Sequence, residues 1–207
     1  MKKEKMLDVV FILDKSGSMS GSEENTISSF NEYIEKEKKN KIPTKITTIL
    51  FSDTYHYLHK RVDISKVEKL TSEDYYVGGC TALYDAIGHA IHSIDHSNTD
   101  KVMFVIITDG YENASKEYRR DKIRKMIANH SDYEFIYIGA DIDSYAAGGD
   151  IGIQKSHIAN YRKDKKGTTL LFESLGKAAA RMCDDSCSFD SSWKEDLESY
   201  LEENESK

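Results

Sequence analysis

Two short runs, Val9-Val10-Phe11-Ile12-Leu13 and Val102-Met103-Phe104-Val105-Ile106-Ile107, are apolar at every position, and each run is followed closely by an aspartate, Asp14 and Asp109. Unbroken apolar runs of this length are what the central strands of a parallel sheet need, because helices cover both of its faces. Strand-like segments fall at 7–13, 44–52, 54–60, 101–108, 134–139 and 155–161, and helix-like segments at 23–39, 82–97, 115–130, 143–149 and 167–182. The alternation predicts a doubly wound α/β fold: a mostly parallel central sheet, helices on both faces, and 54–60 as one antiparallel edge strand. Ligands of such sheets bind beyond the carboxyl ends of the strands, where Asp14 and Asp109 stand.

Three loops carry the candidate chemistry: Asp14-Lys15-Ser16-Gly17-Ser18-Met19, Gly78-Gly79-Cys80-Thr81 and Thr108-Asp109-Gly110. Each alone has a local explanation. Asp-x-Ser caps a following helix, Thr-Asp-Gly closes a turn, and Gly-Gly bends the backbone. Taken together they offer a carboxylate and two hydroxyls at alternate positions, a distant threonine hydroxyl and a second strand-end carboxylate. That all-oxygen set suits a hard divalent cation, Mg2+ or alternatively Mn2+ or Ca2+.

The three motifs, in this order, resemble the metal-ion-dependent adhesion site of the von Willebrand factor A (vWA) family, and the resemblance covers about residues 6–182. It implies a Rossmann-like vWA domain of the compact intracellular bacterial or phage type. By the same resemblance Ser16, Ser18 and Thr81 touch the cation, while one or both of Asp14 and Asp109 hold coordinated waters. Neutral hydroxyls then outnumber direct carboxylates, so the cation keeps positive charge and a replaceable water. An Asp or Glu carboxylate from another protein completes the shell, which makes the domain a binding module and not an enzyme. The family also implies a recruiting role beside an ATPase or in a stress-response complex, and makes helix 167–182 the element that shifts if a signal is transmitted.

Composition narrows the setting. The 207 residues fit one domain, 1–182, and 39% hydrophobic content is enough for its core. Met1-Lys2-Lys3-Glu4-Lys5 ahead of an apolar run imitates a signal peptide, but Asp8 interrupts that run and no small-residue cleavage site follows, so it reads as the first core strand. No stretch is apolar enough to span a membrane. Three cysteines, Cys80, Cys183 and Cys187, make no disulfide framework and point to the cytoplasm, although Cys183 and Cys187 are spaced to pair under oxidation. The basic residues between Lys116 and Lys125 are interleaved with Glu117 and Asp121 in a chain of net charge −7, which argues against nucleic acid as a partner. His89, His92 and His96 lie opposite the apolar stripe of helix 82–97 and read as a solvated face.

The charge is concentrated at the end. Residues 183–207 hold nine acidic residues against Lys194 and Lys207, a balance of −7, so residues 1–182 are neutral overall. This acidic tail contains Trp193, Leu197, Tyr200 and Leu201 at amphipathic helical spacing. It reads as a helix docked on its own domain or a partner-binding segment, and one of its carboxylates is a candidate to gate the metal site. Two rival functions belong to other classes. A Mg2+-dependent phosphatase of the haloacid-dehalogenase type also places an aspartate after an apolar strand, but it wants a second aspartate two residues on, where Ser16 stands. The other rival is a scaffold whose metal is purely structural.

Overall fold

The computed structural model describes residues 6–40, 42–94, 100–184 and 189–205. The first apolar run becomes strand β1 (Leu7–Asp14), buried at every residue. It pairs in parallel with β2 (Thr44–Phe51) on one side and with β4 (Lys101–Thr108), the second apolar run, on the other. Beyond β2 lies the antiparallel edge β3 (Tyr55–Asp63); beyond β4 lie β5 (Tyr133–Gly139) and the short β6 (Ile158–Asn160), both parallel. The six-stranded order is β3-β2-β1-β4-β5-β6. Chain direction across the sheet reverses between β1 and β4, so a crevice opens at their carboxyl ends.

Alternation along the central strands explains why residues 9–13 and 102–107 are apolar throughout. Val9, Phe11 and Leu13 of β1 join one buried cluster with Met103, Val105 and Ile107 of β4. That face is covered by α1 (Glu23–Glu37), through Phe30, Tyr33 and Ile34, and by α5 (Lys165–Cys183), through Leu171, Phe172 and Leu175. Val10, Ile12, Phe104 and Ile106 point the other way, against Ala86, Ile87, Ala90 and Ile91 of α2 (Leu83–Ser93) and Ile123 and Ile127 of α3 (Arg120–Asn129). A short α4 (Ser144–Asp150) follows β5. No described helix is long and apolar enough to cross a membrane.

Three expected elements differ. The helix expected over 115–130 begins only at Arg120, because side-chain carboxylates capture the preceding backbone. Asp85 accepts from the N–H groups of Lys116, Glu117 and Tyr118 at 2.8–3.0 Å, and Glu112 accepts from those of Ala114 and Ser115 at 2.9 and 2.7 Å. These local bonds hold the segment in a loop. The helix expected to run to residue 97 ends at Ser93, with Ile94 extended. The strand expected over 155–161 is a single 3-10 turn at Lys155–His157 followed by β6.

Of the three histidines, His92 is exposed as a solvated face requires. His89 is not simply solvated: its ring stacks on Tyr55 (centroids 4.4 Å apart) and its Nε2 lies 2.9 Å from Glu117. His96 and Cys187 lie outside the described residues.

The acidic tail forms a 3-10 turn and then α6 (Glu195–Glu205). Trp193 and Leu197 are fully buried in the same cluster as α1 and α5, and the Trp193 indole donates to the Ser156 carbonyl at 2.9 Å. The buried ammonium of Lys194 donates to the Ile158 carbonyl at 2.5 Å and to the Tyr145 hydroxyl at 2.8 Å, and pairs with Glu198. Tail carboxylates are engaged locally, Asp190 with Arg181 and Asp196 with Lys177.

Candidate metal centre

Both strand-end aspartates are buried at the crevice, and each is held differently. Asp14 Oδ1 accepts from the Ser16 backbone N–H at 2.7 Å, the bond that turns the chain out of β1, and Oδ2 accepts from the Thr108 hydroxyl at 2.6 Å. The Tyr75 hydroxyl donates to the Asp14 carbonyl. Burial pushes the Asp14 carboxyl above its ordinary value of 3.8, against the lowering effect of the Thr108 and Ser16 bonds, and the charge of Asp109 adds to the rise. Asp109 Oδ1 accepts from the Ser18 hydroxyl at 2.5 Å, while Oδ2 lies 2.7 Å from Lys163 Nζ.

The hydroxyls converge. Ser16 Oγ is 3.2 Å from Ser18 Oγ; because Ser18 gives its single proton to Asp109, Ser16 is the donor of that pair. A Cβ built on Gly110 would lie 3.0 Å from Thr81 Oγ1 and 3.4 Å from Ser18 Oγ, so both oxygens border the same point above that glycine. Ser16 and Thr81 are buried and Ser18 is exposed, so the arrangement is closed from below and open at Ser18. With the Ser18 proton turned to Asp109 and the Ser16 proton to Ser18, each serine keeps a lone pair that can face a cation.

Backbone bonds hold the three loops together. Gly17 N–H donates to the Gly79 carbonyl at 3.0 Å, and Gly78 N–H to the Lys15 carbonyl at 2.9 Å. Gly79 has φ +81°, and a Cβ there would meet Asp53 Oδ2 at 1.9 Å, so only glycine fits without rearrangement. The loop after β4 caps α2 from outside: Glu112 accepts from the Tyr84 N–H (2.9 Å), Ser115 Oγ from the Asp85 N–H (3.0 Å), and Asn113 Oδ1 from the Thr81 N–H (2.9 Å). The chain that carries Asp109 thereby fixes the helix start that carries Thr81.

Sequence reasoning missed Thr108, Tyr75, Asn113 and Lys163. Thr108 stood beside Asp109 in the sequence, and its inward direction follows from strand alternation once Ile107 faces a helix. Lys163 carried no signal, since it reaches Asp109 across 54 residues from the segment between β6 and α5. Among the described residues the charge against Asp109 is the Lys163 ammonium, and Asp190, Asp196 and Glu198 of the tail pair elsewhere. Partial burial works against that ammonium, but Asp109 and Asp141 more than offset it and raise its pKa.

Among the described residues no three His, Cys, Asp or Glu side chains gather into a metal-holding group. The donors at the crevice are the hydroxyl oxygens of Ser16, Ser18 and Thr81 and the carboxylates of Asp14 and Asp109, an all-oxygen set that fits a hard divalent cation.

No curated protein matches the sequence. Among solved structures, proximal thread matrix protein 1 from the mussel byssus superposes with a TM-score of 0.63 at 16% identity, over 84% of this chain and 46% of that one. The same mussel protein with a zinc-occupied MIDAS motif gives 0.58 at 15% identity, over 87% and 45%. The ArnB paralog VWA2 from Sulfolobus acidocaldarius gives 0.58 at 22% identity, over 83% and 45%. Identities this low speak to fold alone, and this chain spans less than half the length of each of these proteins. Residues 8–178, most of the chain, match the von Willebrand factor type A domain. With the strand order and the flanking helices in agreement, this protein belongs to the von Willebrand factor type A domain family.

Proposed function

We propose that the domain is a divalent-cation-dependent protein-binding module, with Ser16, Ser18 and Thr81 as direct ligands of Mg2+ (or Mn2+ or Ca2+) and Asp14 and Asp109 as the carboxylates behind them. The observation that carries this reading is the convergence of the Ser18 and Thr81 hydroxyl oxygens over Gly110, with Ser16 Oγ 3.2 Å from Ser18 and Asp109 directly behind it. When bound, the cation supplies an open coordination position for a carboxylate. The chain's own part is to present neutral oxygens toward that position and to keep Asp14 buried and pre-oriented through Thr108 and Ser16.

The rim supports a protein partner that brings an Asp or Glu. Tyr76 and Tyr111 are the exposed large hydrophobic side chains among the described residues, at 65% and 57%, and both sit in loops that build the crevice. Tyr76 lies under the Lys15 ammonium (3.6 Å to the ring centroid), two residues before Gly78, and Tyr111 follows Gly110. Exposed tyrosines around an acid-binding point are the usual anchors of a protein interface. Within this reading residues 1–182 are the binding domain and 183–207 an acidic tail. A cytoplasmic setting is supported by the cysteine usage, and a role in an ATPase-associated or stress-response complex by the family resemblance. Phosphatase chemistry lacks support: Ser16, where the second aspartate would be needed, gives its proton to Ser18 and offers no acid or base near neutral pH.

The test has two parts. Mn2+ binding should be present in the wild type and lost in Asp14→Ala, while both proteins remain folded. Proteins retained from source lysate on the immobilised domain with Mg2+, and absent with EDTA or with Asp14→Ala, should include the partner. If chelation lowers the melting temperature in proportion to metal affinity but leaves the retained proteins unchanged, the metal is structural and the binding-module reading fails.

A further inference from the structure

A positive charge already stands at Asp109. Lys163 Nζ lies 2.7 Å from Asp109 Oδ2, 3.0 Å from Asp141 Oδ2 and 3.3 Å from the Ser18 carbonyl. Its side chain is 23% exposed and that of Asp109 is fully buried. The Ser18 hydroxyl holds the other oxygen of Asp109. Both oxygens of this carboxylate are therefore engaged, one of them by a full charge in a partly dehydrated place. A divalent ion seated among Ser16, Ser18 and Thr81 needs the same carboxylate and repels the ammonium at short range.

We propose that Lys163 is a built-in competitor for Asp109, an ammonium that must leave before a divalent cation is held, so that this one side chain sets how much cation the domain requires. The inference rests on the cation-site reading above. The structure gives the ammonium somewhere to go. Asp141 is largely exposed, at 70% for its side chain, and keeps its carboxylate toward Lys163 from a left-handed backbone (φ +57°), a conformation that aspartate adopts more readily than most residues. Beside it opens a cleft of about 720 Å³ lined by Tyr111, Asp141, Asn160, Lys163 and Asp164. On loading, the ammonium would give up Asp109 and keep Asp141 at the edge of open space. No such release is available to Asp14, whose partners are neutral.

The probe is Mn2+, titrated into the full chain at fixed ionic strength and read from the resonance of the free ion, together with melting curves with and without Mg2+. Lys163→Met keeps the length and removes the charge; it should bind Mn2+ roughly tenfold to a hundredfold more tightly, the range expected for removing a competing charge-assisted hydrogen bond. It should also melt lower than the wild type without metal and gain more on adding Mg2+, because two aspartates lose their counter-charge. Lys163→Arg, which keeps a cation within reach of Asp109, should bind as the wild type does. Lys163→Gln repeats the neutral case should Lys163→Met fail to fold. The proposal is overturned by a neutral variant with wild-type affinity, or by Lys163→Arg binding as tightly as Lys163→Met. If Asp14→Ala abolishes binding in that experiment, the cation site itself survives. If neither wild type nor neutral variant takes up Mn2+, the site reading falls and this inference falls with it.

Discussion

Thr108→Val isolates the least visible contributor to the crevice. The hydroxyl is fully buried and has one proton, and its surroundings decide where that proton goes: Asp14 Oδ2 is at 2.6 Å, against 3.1 Å to the Gly110 carbonyl. The carboxylate takes it, and the Gly110 N–H, also at 3.1 Å, donates into the lone pair that remains. Valine has the same shape and suits a strand, so the substitution removes two hydrogen bonds and little else. Losing a hydrogen bond to a buried charged group costs about 1.5–3 kcal/mol of stability, a minority share of the roughly 5–15 kcal/mol typical of a domain, so the variant remains folded. Residues that orient the groups around a metal typically change affinity by roughly 10–100-fold, or about 1.4–2.7 kcal/mol. Calorimetric titration with Mn2+ reads the affinity, and urea unfolding without metal reads the stability. Thr108→Ser, which restores the hydroxyl, should recover most of both. Wild-type Mn2+ affinity in Thr108→Val would refute the claim that Asp14 is oriented through Thr108.

Three further outcomes are expected. Phe11→Ala removes the ring that meets Phe30, Tyr33 and Phe172 at centroid distances of 5.3, 5.4 and 6.3 Å, and should cost about 3–5 kcal/mol in chemical denaturation. Gly79→Ala forces a side chain into a left-handed backbone and against Asp53, so it should destabilise by about 1 kcal/mol or more and weaken Mn2+ binding by shifting the loop that carries Thr81. Burial raises the carboxyl of Glu37 above its ordinary 4.5, against the lowering bond from Asn40, so the ionised form works against folding. Glu37→Gln should therefore melt higher than the wild type at neutral pH. The gap should close as the pH falls through the raised value and vanish below 4.5, where both states of the wild type are protonated.

The central sheet was legible because its requirement is severe. A strand covered on both faces buries nearly every side chain and favours apolar residues throughout, and the two runs ending at Leu13 and Ile107 could serve little else. The five oxygen-bearing residues could be singled out because three of them lie within one turn and the three loops resemble the family's motifs in order, and the fold brings those loops to one crevice. What could not be read was decided by contacts distant in sequence. The start of α3 depends on Asp85 capturing N–H groups 31–33 residues away, and propensity within 115–119 does not encode that. The cation facing Asp109 was hidden for a similar reason: Lys163 comes from a segment whose local pattern is that of an ordinary charged loop, while Asp190, Asp196 and Glu198 of the tail pair with Arg181, Lys177 and Lys194.

Two aspartates in one crevice pose an electrostatic problem, and this chain answers it in two ways. Asp14 is held by an N–H and a hydroxyl, neutral donors that stay in place whatever binds and compensate only part of the cost of burial, as its raised pKa records. Asp109 is held by a hydroxyl and an ammonium, and that second partner is a charge which an incoming cation makes redundant. If both had neutral partners, the metal-free domain would bury two uncompensated charges; if both had lysines, a cation would have to displace two ion pairs. The mixed solution keeps the β1 side of the crevice rigid and confines any exchange of partners to the β4–β5 side, where Lys163, Asp141 and Tyr111 border open solvent. A protein that docks on this rim and offers a carboxylate therefore meets a fixed floor and one adjustable wall.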